Sequence, residues 1–207
     1  MASVVSILSG ASGFDADSVI SGTYAACAAT NHSMSFVGRY IPKAGYSAAG
    51  DLTSAEAVQI TENGLAILVV QHWRGGNYAS DAAAASQGTS DGNEAVSYAS
   101  SIGAPSGMFI YCDVESFYSH ALGAAWAQAW ATAVNGSSYK AAYYGDQTTK
   151  NLISGVTWHG LWENVANMGA LTGANISQGA ATTLSCDSSI GIDSDAMLTS
   201  LGGFWGY

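Results

Sequence analysis

The sequence predicts an α/β fold, a single (β/α)8-type barrel with an irregular second half, on three observations. Short apolar runs alternate with longer Ala-rich amphipathic stretches, the pattern of βα units around a parallel sheet. The apolar runs number eight, which is the count that closes a barrel. A chain of 207 residues is long enough for one sizeable core and is most simply one domain, 1–207. An open doubly wound sheet is the structural alternative.

In chain order the strand-like runs begin with "SGFDAD" (12–17) and "SFVGRYI" (35–41). A helix-like stretch follows, "LTSAEAVQITENG" (52–64), in which Thr53 stands as cap, Glu56 completes a capping box three residues on, and Gly64 supplies the stop. The third strand is "LAILVVQHW" (65–73), followed by a helix over "DGNEAVSYASSIG" (91–103). The fourth is "GMFIYCDVE" (107–115), followed by "SHALGAAWAQAWATAVNG" (119–136), again with a cap at one end and Gly at the other. Here Trp126 and Trp130 lie four apart on one helix face, a spacing that favours buried packing over ligand binding. Beyond "KAAYYGD" (140–146) the helical pattern thins to a short "QTTKNLISG" (147–155). The last three strands, "HGLWENV" (159–165), "NISQGAA" (175–181) and "SIGIDSDAM" (189–197), have little between them.

Fifteen acids against five basic residues give a formal charge of -10, and the five (Arg39, Lys43, Arg74, Lys140, Lys150) are scattered. Nucleic acid and anionic membrane surfaces both need a basic footprint, so neither is an expected partner. The longest apolar run, "LAILVV" (65–70), is far short of the roughly 20 residues of a membrane span. The opening "MASVVSILSGASG" has an apolar patch without a positive region and is too broken for a signal peptide, so either export does not use that route or a leader has been removed. Cys27, Cys112 and Cys186 allow at most one intrachain disulfide, and with no CxxC they predict no structural zinc site.

Charge is used sparingly, which makes "IYCDVE" (110–115) conspicuous. As a strand it points Ile110, Cys112 and Val114 one way and Tyr111, Asp113 and Glu115 the other. The pattern recurs: Asp15 and Asp17 follow Phe14, and Asp193 and Asp195 follow Ile192, so six of the fifteen acids form three pairs at one spacing. Each pair falls at the carboxyl end of a predicted strand, where parallel α/β folds carry their sites. Clustered carboxylates in a partly desolvated pocket retain a proton on one member while a neighbour stays ionised, which suits glycosidic bond cleavage. The same oxygens could instead hold Mg²⁺ or Ca²⁺. The bland alternative is that the acids cap helices or sit in solvated turns, most readily Asp17 and Asp195. The expected catalytic set is Glu115, Asp113, Asp15 and Asp193, with no cofactor and no metal.

These motifs resemble a known family. "GFDAD" is similar to the opening strand of family 25 glycoside hydrolases, the lysozyme-like muramidases, and "IYCDVE" to their DxE strand. "ISQGAA" resembles their tryptophan-and-glutamine strand, and "IGIDSDAM" their final Asp-bearing strand. The chain also resembles a related glycoside hydrolase-like domain of actinobacteria and other sources, sharing "FVGRYI" (36–41) and "LTSAEAVQITENGL" (52–65), and the likeness runs from about residue 12 to 198. The resemblance implies a barrel with irregular later segments, Glu115 as general acid, Asp113 as its orienting partner, and Asp15 and Asp193 completing an acidic pocket. It further implies assistance by the substrate's own N-acetyl group and places Tyr143 as a pocket-lining tyrosine. The segment "LWENVAN" (161–167) departs from the family's "LWIAxY", and no wall-binding module is present in this chain.

Arg39, near the end of the second strand, is expected to point into the acidic pocket. Gln71 and Trp73 in "QHWRGGNY" (71–78) offer a hydrogen-bonding group and a sugar-stacking face. His72 reads as structural, since no Ser or Cys nucleophile accompanies it. With Tyr111, Tyr143 and Trp162, these make up the expected substrate-binding set. Two functional classes follow. One is an enzyme, a glycoside hydrolase on an N-acetylhexosamine-containing glycan such as peptidoglycan, placed outside the cell or in its envelope. The other is a non-catalytic glycan-binding or self-assembling protein, a homo-oligomer, favoured by a charge-poor surface and by the tail "GGFWGY" (202–207), which would dock into a neighbour or back onto its own barrel.

Overall fold

A computed structural model describes residues 2–74, 77–115, 119–165 and 168–207. Gly75 and Gly76 of the "QHWRGGNY" loop, and Ala166 and Asn167 of "LWENVAN", lie outside the described residues. The strands are β1 (Ser3–Ile7), β2 (Ser12–Ala16), β3 (Met34–Ile41), β4 (Ala66–Gln71), β5 (Phe109–Asp113), β6 (Lys140–Tyr144), β7 (Leu161–Asn164), β8 (Ile176–Thr183), β9 (Gly191–Met197) and β10 (Leu201–Gly206). The helices are α1 (Gly22–Asn31), α2 (Ser54–Glu62), α3 (Asp81–Ser101), α4 (His120–Asn135) and α5 (Gln147–Leu152).

Strands β2 to β9 close a ring in the order β4-β3-β2-β9-β8-β7-β6-β5, with β5 returning to β4. These are the eight runs expected from sequence, and a helix follows each of β2 to β6, whereas among the described residues none follows β7 or β8. The sheet is not wholly parallel: β9 runs antiparallel to both β8 and β2. The connection between β8 and β9 is too short for the helical crossover that a parallel return would need.

Strand alternation sorts the core into two layers. Phe36, Leu68, Tyr111, Tyr144, Trp162 and Phe204 fill the barrel interior, while Phe14, Val37, Ile110, Cys112, Trp126 and Trp130 lie between barrel and helices. The two terminal strands form an antiparallel pair outside the ring, with β10 paired to β4 at Trp205 and Ile67 and β1 paired along β10. Phe204 enters the interior edge-on to Phe36, ring centroids 5.4 Å apart. The aromatic tail therefore docks onto its own barrel and closes the end where the parallel strands begin.

Helix α3 starts ten residues before the expected position, with Ser80 accepting the Ala83 amide. Its Gly88 and Gly92 resemble helix breakers but face α4, where a Cβ at 88 would run into the Trp126 backbone carbonyl. Trp126 and Trp130 are fully buried and stacked, and their indole nitrogens donate to Asp91 (2.8 Å) and Gln71 (2.7 Å). In α2, Thr53 accepts the Glu56 amide as expected, but the Glu56 carboxylate turns inward to the Ile20 amide and Arg39 instead of completing the box.

Cys27 of α1 and Cys186 of the β8–β9 connection form a disulfide across 159 positions, leaving Cys112 buried as the free thiol. A loop of that length costs the unfolded chain substantial entropy when closed, so replacing both cysteines by Ala is expected to remove about 2–4 kcal/mol. Thermal unfolding of the double variant should show a midpoint lower by about 5–15 °C. A midpoint within 2 °C of wild type, on the order of 1 kcal/mol, would show that the bond restrains nothing.

Candidate active site

At the end of the barrel where the parallel strands finish, inward-facing side chains gather the acids. Asp15 leaves the end of β2 and lies opposite Asp193 of β9 in the antiparallel register, with Asp195 one inward position deeper. Because β9 runs backwards, Asp193 reaches the site from the first half of its strand, not from a carboxyl end as the sequence pattern suggested. Asp113 closes β5, and its Oδ1 accepts the Glu115 backbone N–H at 2.9 Å, a turn that projects Glu115 over the mouth. Glu115 is half-buried, accepting from Asn164 Nδ2 on Oε1 (3.0 Å) and approached by the Tyr144 hydroxyl on Oε2 (3.2 Å).

Burial sets the electrostatics. Asp15 is pushed up to about 7, chiefly by loss of solvent, against the restraining hydrogen bond from Gln178 Nε2 at 2.7 Å. Asp113 is held well above the usual carboxylate range by burial, offset in part by the Glu115 amide. Burial also raises Asp195 well above that range, with Asp15 adding to the shift. Its Oδ1 accepts from Trp162 Nε1 at 3.0 Å, while Oδ2 is buried without a donor among the described residues. Asp193, more open, is raised by partial burial and by Asp17.

Two adjoining cavities open above the acids and share Asp17 and Tyr40. One, of about 340 Å³, is lined by Asp15, Asp193 and Ala181 among others. The other, of about 500 Å³, is lined by Asp113, Lys43, Tyr46, His72 and Trp73. Trp73 is 37% exposed at this rim. His72 is held by Asp51 at 2.5 Å and stacked on Tyr40, consistent with a structural role. A third cavity, of about 650 Å³, lies at the opposite end beside Lys140 and His159 and has no acid in its lining, so it is remote from this chemistry.

The structure lines the two adjoining cavities with Asp15 and Asp193 on one side and Asp113 and Trp73 on the other, joins Glu115 to them through Asp113 and through Tyr144 and Gln178 without its lining either cavity, and places the other expected residues elsewhere. Arg39 does not point into the acidic pocket: it is fully buried on the outer face of β3, where Nε pairs with Glu56 at 2.8 Å and Nη1 and Nη2 donate to the Ala16 and Gly50 carbonyls. Gln71 faces outward too, donating to the Pro42 and Asp91 carbonyls. Tyr143 packs in the outer layer with its hydroxyl on the Asp146 carbonyl, and its neighbour Tyr144 is the inward tyrosine. Tyr111 and Trp162 lie in the interior beneath the acids, rings edge-on at 5.9 Å, so Trp162 supports Asp195 from below and lines neither cavity.

Sequence reasoning passed over Tyr40, Tyr144, Asn164 and Gln178, and set Asp195 aside as a cap or turn residue, whereas it is buried in the barrel. Strand parity could have found Asp195, which shares a face with Asp193, whereas the inward phase of Tyr40, Tyr144, Asn164 and Gln178 is set by the pairing of their strands. Among the described residues, no three acids bring an oxygen each within 4.8 Å of one another. The one grouping that close is Cys27, His32 and Cys186, whose sulfurs are joined to each other.

An eight-stranded α/β barrel with carboxylates gathered at one mouth defines a glycoside hydrolase-like domain. The Rv2525c-like, glycoside hydrolase-like domain family matches residues 28–197, and the chain belongs to that family. Among solved structures, the fold resembles the Mycobacterium tuberculosis Tat-secreted protein Rv2525c in complex with L-tartrate, with a TM-score of 0.70 and 18% identity over 92% of this chain and 97% of that one. An uncharacterized B. stearothermophilus protein gives 0.65 and 16% over 91% and 96%. The catalytic domain of endolysin ply40 from bacteriophage P40 of Listeria monocytogenes gives 0.59 and 11% over 91% and 93%. No curated protein matches the chain. Among the described residues, no helix is long and apolar enough to cross a membrane.

Proposed function

We propose that the chain hydrolyses an N-acetylhexosamine-containing glycan, peptidoglycan being the first substrate to test. The observation that carries this reading is Glu115, a half-buried carboxyl held by Asn164 and Tyr144 at the barrel end that gathers the acids, its backbone N–H donating to Asp113, which lines the adjoining cavity. In this role Glu115 delivers its proton to the glycosidic oxygen as the C1–O bond breaks. The carbonyl oxygen of the substrate's N-acetyl group attacks C1, and water then opens the resulting ring with Glu115 taking a proton back. Asp113 orients Glu115 through the backbone N–H, Asp15 and Asp193 face the developing positive charge, and Trp73 offers a stacking face at the rim. The fold shared with an endolysin catalytic domain supports this reading. A place outside the cell or in its envelope is supported by the disulfide and by the secreted fold neighbour.

A second reading, a self-assembling glycan-binding homo-oligomer, is favoured by β1. This strand, "SVVSI", lies at one end of the strand order and carries no charge or proline to block further pairing.

Purified peptidoglycan and chitin-type oligosaccharides should release new reducing ends, followed by mass spectrometry, and Glu115→Gln should lower the rate by about 10²–10⁴-fold. Turnover unchanged in Glu115→Gln removes this residue as the acid. No turnover on any substrate, with the protein running as a large assembly on sizing, favours the second reading.

A further inference from the structure

Between Glu115 and Asp15 lie two neutral side chains whose polar atoms form an unbroken chain. The Tyr144 hydroxyl stands 3.2 Å from Glu115 Oε2 and 2.8 Å from Gln178 Oε1, and the Gln178 Nε2 donates to Asp15 Oδ2 at 2.7 Å. Asn164 Nδ2 donates to both the Tyr144 oxygen and Glu115 Oε1, each at 3.0 Å. The Gln178 amide nitrogen faces Asp15 and its oxygen faces Tyr144, the orientation that an ionised Asp15, which can only accept, requires.

We propose that Tyr144 and Gln178 form a relay that holds Glu115 and Asp15 in opposite protonation states, with Tyr144 as a positioning residue. The functional meaning rests on the reading of Glu115 as general acid, whereas the coupling itself needs no substrate. Tyr144 has one hydroxyl proton and two acceptors competing for it. When Glu115 is protonated, its O–H donates to the Tyr144 oxygen and Tyr144 donates onward to Gln178. The polarised amide then donates more strongly to Asp15 and favours its anion. When Glu115 is ionised, its charge draws the Tyr144 proton back, Gln178 Oε1 loses its donor, and Asp15 holds a proton more readily. No heavy atom has to move. Burial keeps the Tyr144 hydroxyl from ionising, so its proton can rotate between acceptors but is not lost.

Other groups face this chain from every side: Asp113 from β5, Asp193 and Asp195 from β9, Tyr40 from β3, and Lys43 from the loop after β3. Asp113 feels both Glu115 and Asp15 and supplies an ordinary Coulombic route between them. The relay adds a route through hydrogen bonds, and removing one hydroxyl separates the two.

The test is a carboxyl ¹³C NMR titration of the full chain from pH 3 to 10, in wild type, Tyr144→Phe and Gln178→Met. The wild type should show Glu115 and Asp15 each titrating in two linked steps. In Tyr144→Phe the two midpoints should draw together by about one pH unit, the scale of one charge-assisted hydrogen bond. Gln178→Met should do the same while leaving the Tyr144–Glu115 contact in place, which covers the case in which Tyr144→Phe fails to fold. Linked steps that persist at wild-type spacing in the folded variants would overturn the relay and assign the coupling to Asp113. A chain inactive on every glycan but with the narrowed spacing would keep the relay and remove the hydrolase reading.

Discussion

Arg39→Ala is expected to cost about 3–5 kcal/mol of stability, because it leaves Glu56 buried with no partner for its charge. For a chain of this size that is a fall of about 6–20 °C in unfolding midpoint. Arg39 joins three segments: Glu56 of α2, the Ala16 carbonyl at the end of β2, and the Gly50 carbonyl. Gly50 packs so tightly on the Asp17 carbonyl that no Cβ would fit, so this arginine also braces the loop carrying Asp17. Arg39→Lys keeps the charge but loses the planar fork, and should fall between wild type and Ala. Arg39→Met combined with Glu56→Met should recover only part of the loss, since it removes the unpaired charge but leaves the Ile20 N–H and the Ala16 and Gly50 carbonyls without their partners. A loss below 1 kcal/mol in Arg39→Ala would show that water reaches Glu56 and that the pair is not structural.

Stability is expected to fall as pH rises from about 4 to above 7, the reverse of the behaviour of most salt-bridged proteins. Asp15 moves from an ordinary value of 3.8 to about 7 on folding. A carboxyl raised in the folded state binds its proton more tightly there, so its contribution is fully present below the unfolded value and is lost through the folded value. The difference is on the order of 4 kcal/mol between pH 4 and pH 8 for Asp15. Asp113 and Asp195, both raised by burial, push in the same direction. Asp15→Asn should therefore raise the unfolding midpoint at pH 8 and flatten the slope between pH 5 and 8, because the amide still accepts from Gln178 without a charge to desolvate. Unfolding midpoints measured across that range in both proteins check this. Parallel curves would mean that Asp15 stays ionised throughout and is more hydrated than its 3% exposure suggests.

The cluster is thus maintained against the stability of the fold near neutral pH. Burying several carboxyls together is unfavourable, and the barrel compensates elsewhere with the two-layer core and the long-range disulfide. Such opposition between stability and electrostatics is characteristic of sites that act on a ligand.

The eight barrel strands, the thinning of helices after β6 and the three acid pairs were all legible in the sequence. Each depends on local pattern: alternation along a strand, a cap ahead of a helix, a carboxylate at a fixed spacing from an apolar residue. In "IYCDVE" the pattern settled even the faces, with Ile110, Cys112 and Val114 outward and Tyr111 and Asp113 inward. Strand phase elsewhere was not local information. In "KAAYYGD" two adjacent tyrosines are equivalent by composition, and only the register of β6 against β5 and β7 turns Tyr144 inward and Tyr143 out. The same one-residue ambiguity misplaced Arg39 and Gln71, whose burial on the outer face needs partners 11 or more positions away. The direction of β9, the closure of one barrel end by β10 and the approach of α3 to α4 through glycines likewise belong to the tertiary structure. The sequence by itself determined which acids recur at one spacing and how the chain's elements alternate, because those are properties of neighbouring residues. Which carboxyls are desolvated, which are neutral and which neutral side chains join them was decided only when distant strands closed into one ring, because burial and hydrogen-bond partnership are set by segments far apart in the chain.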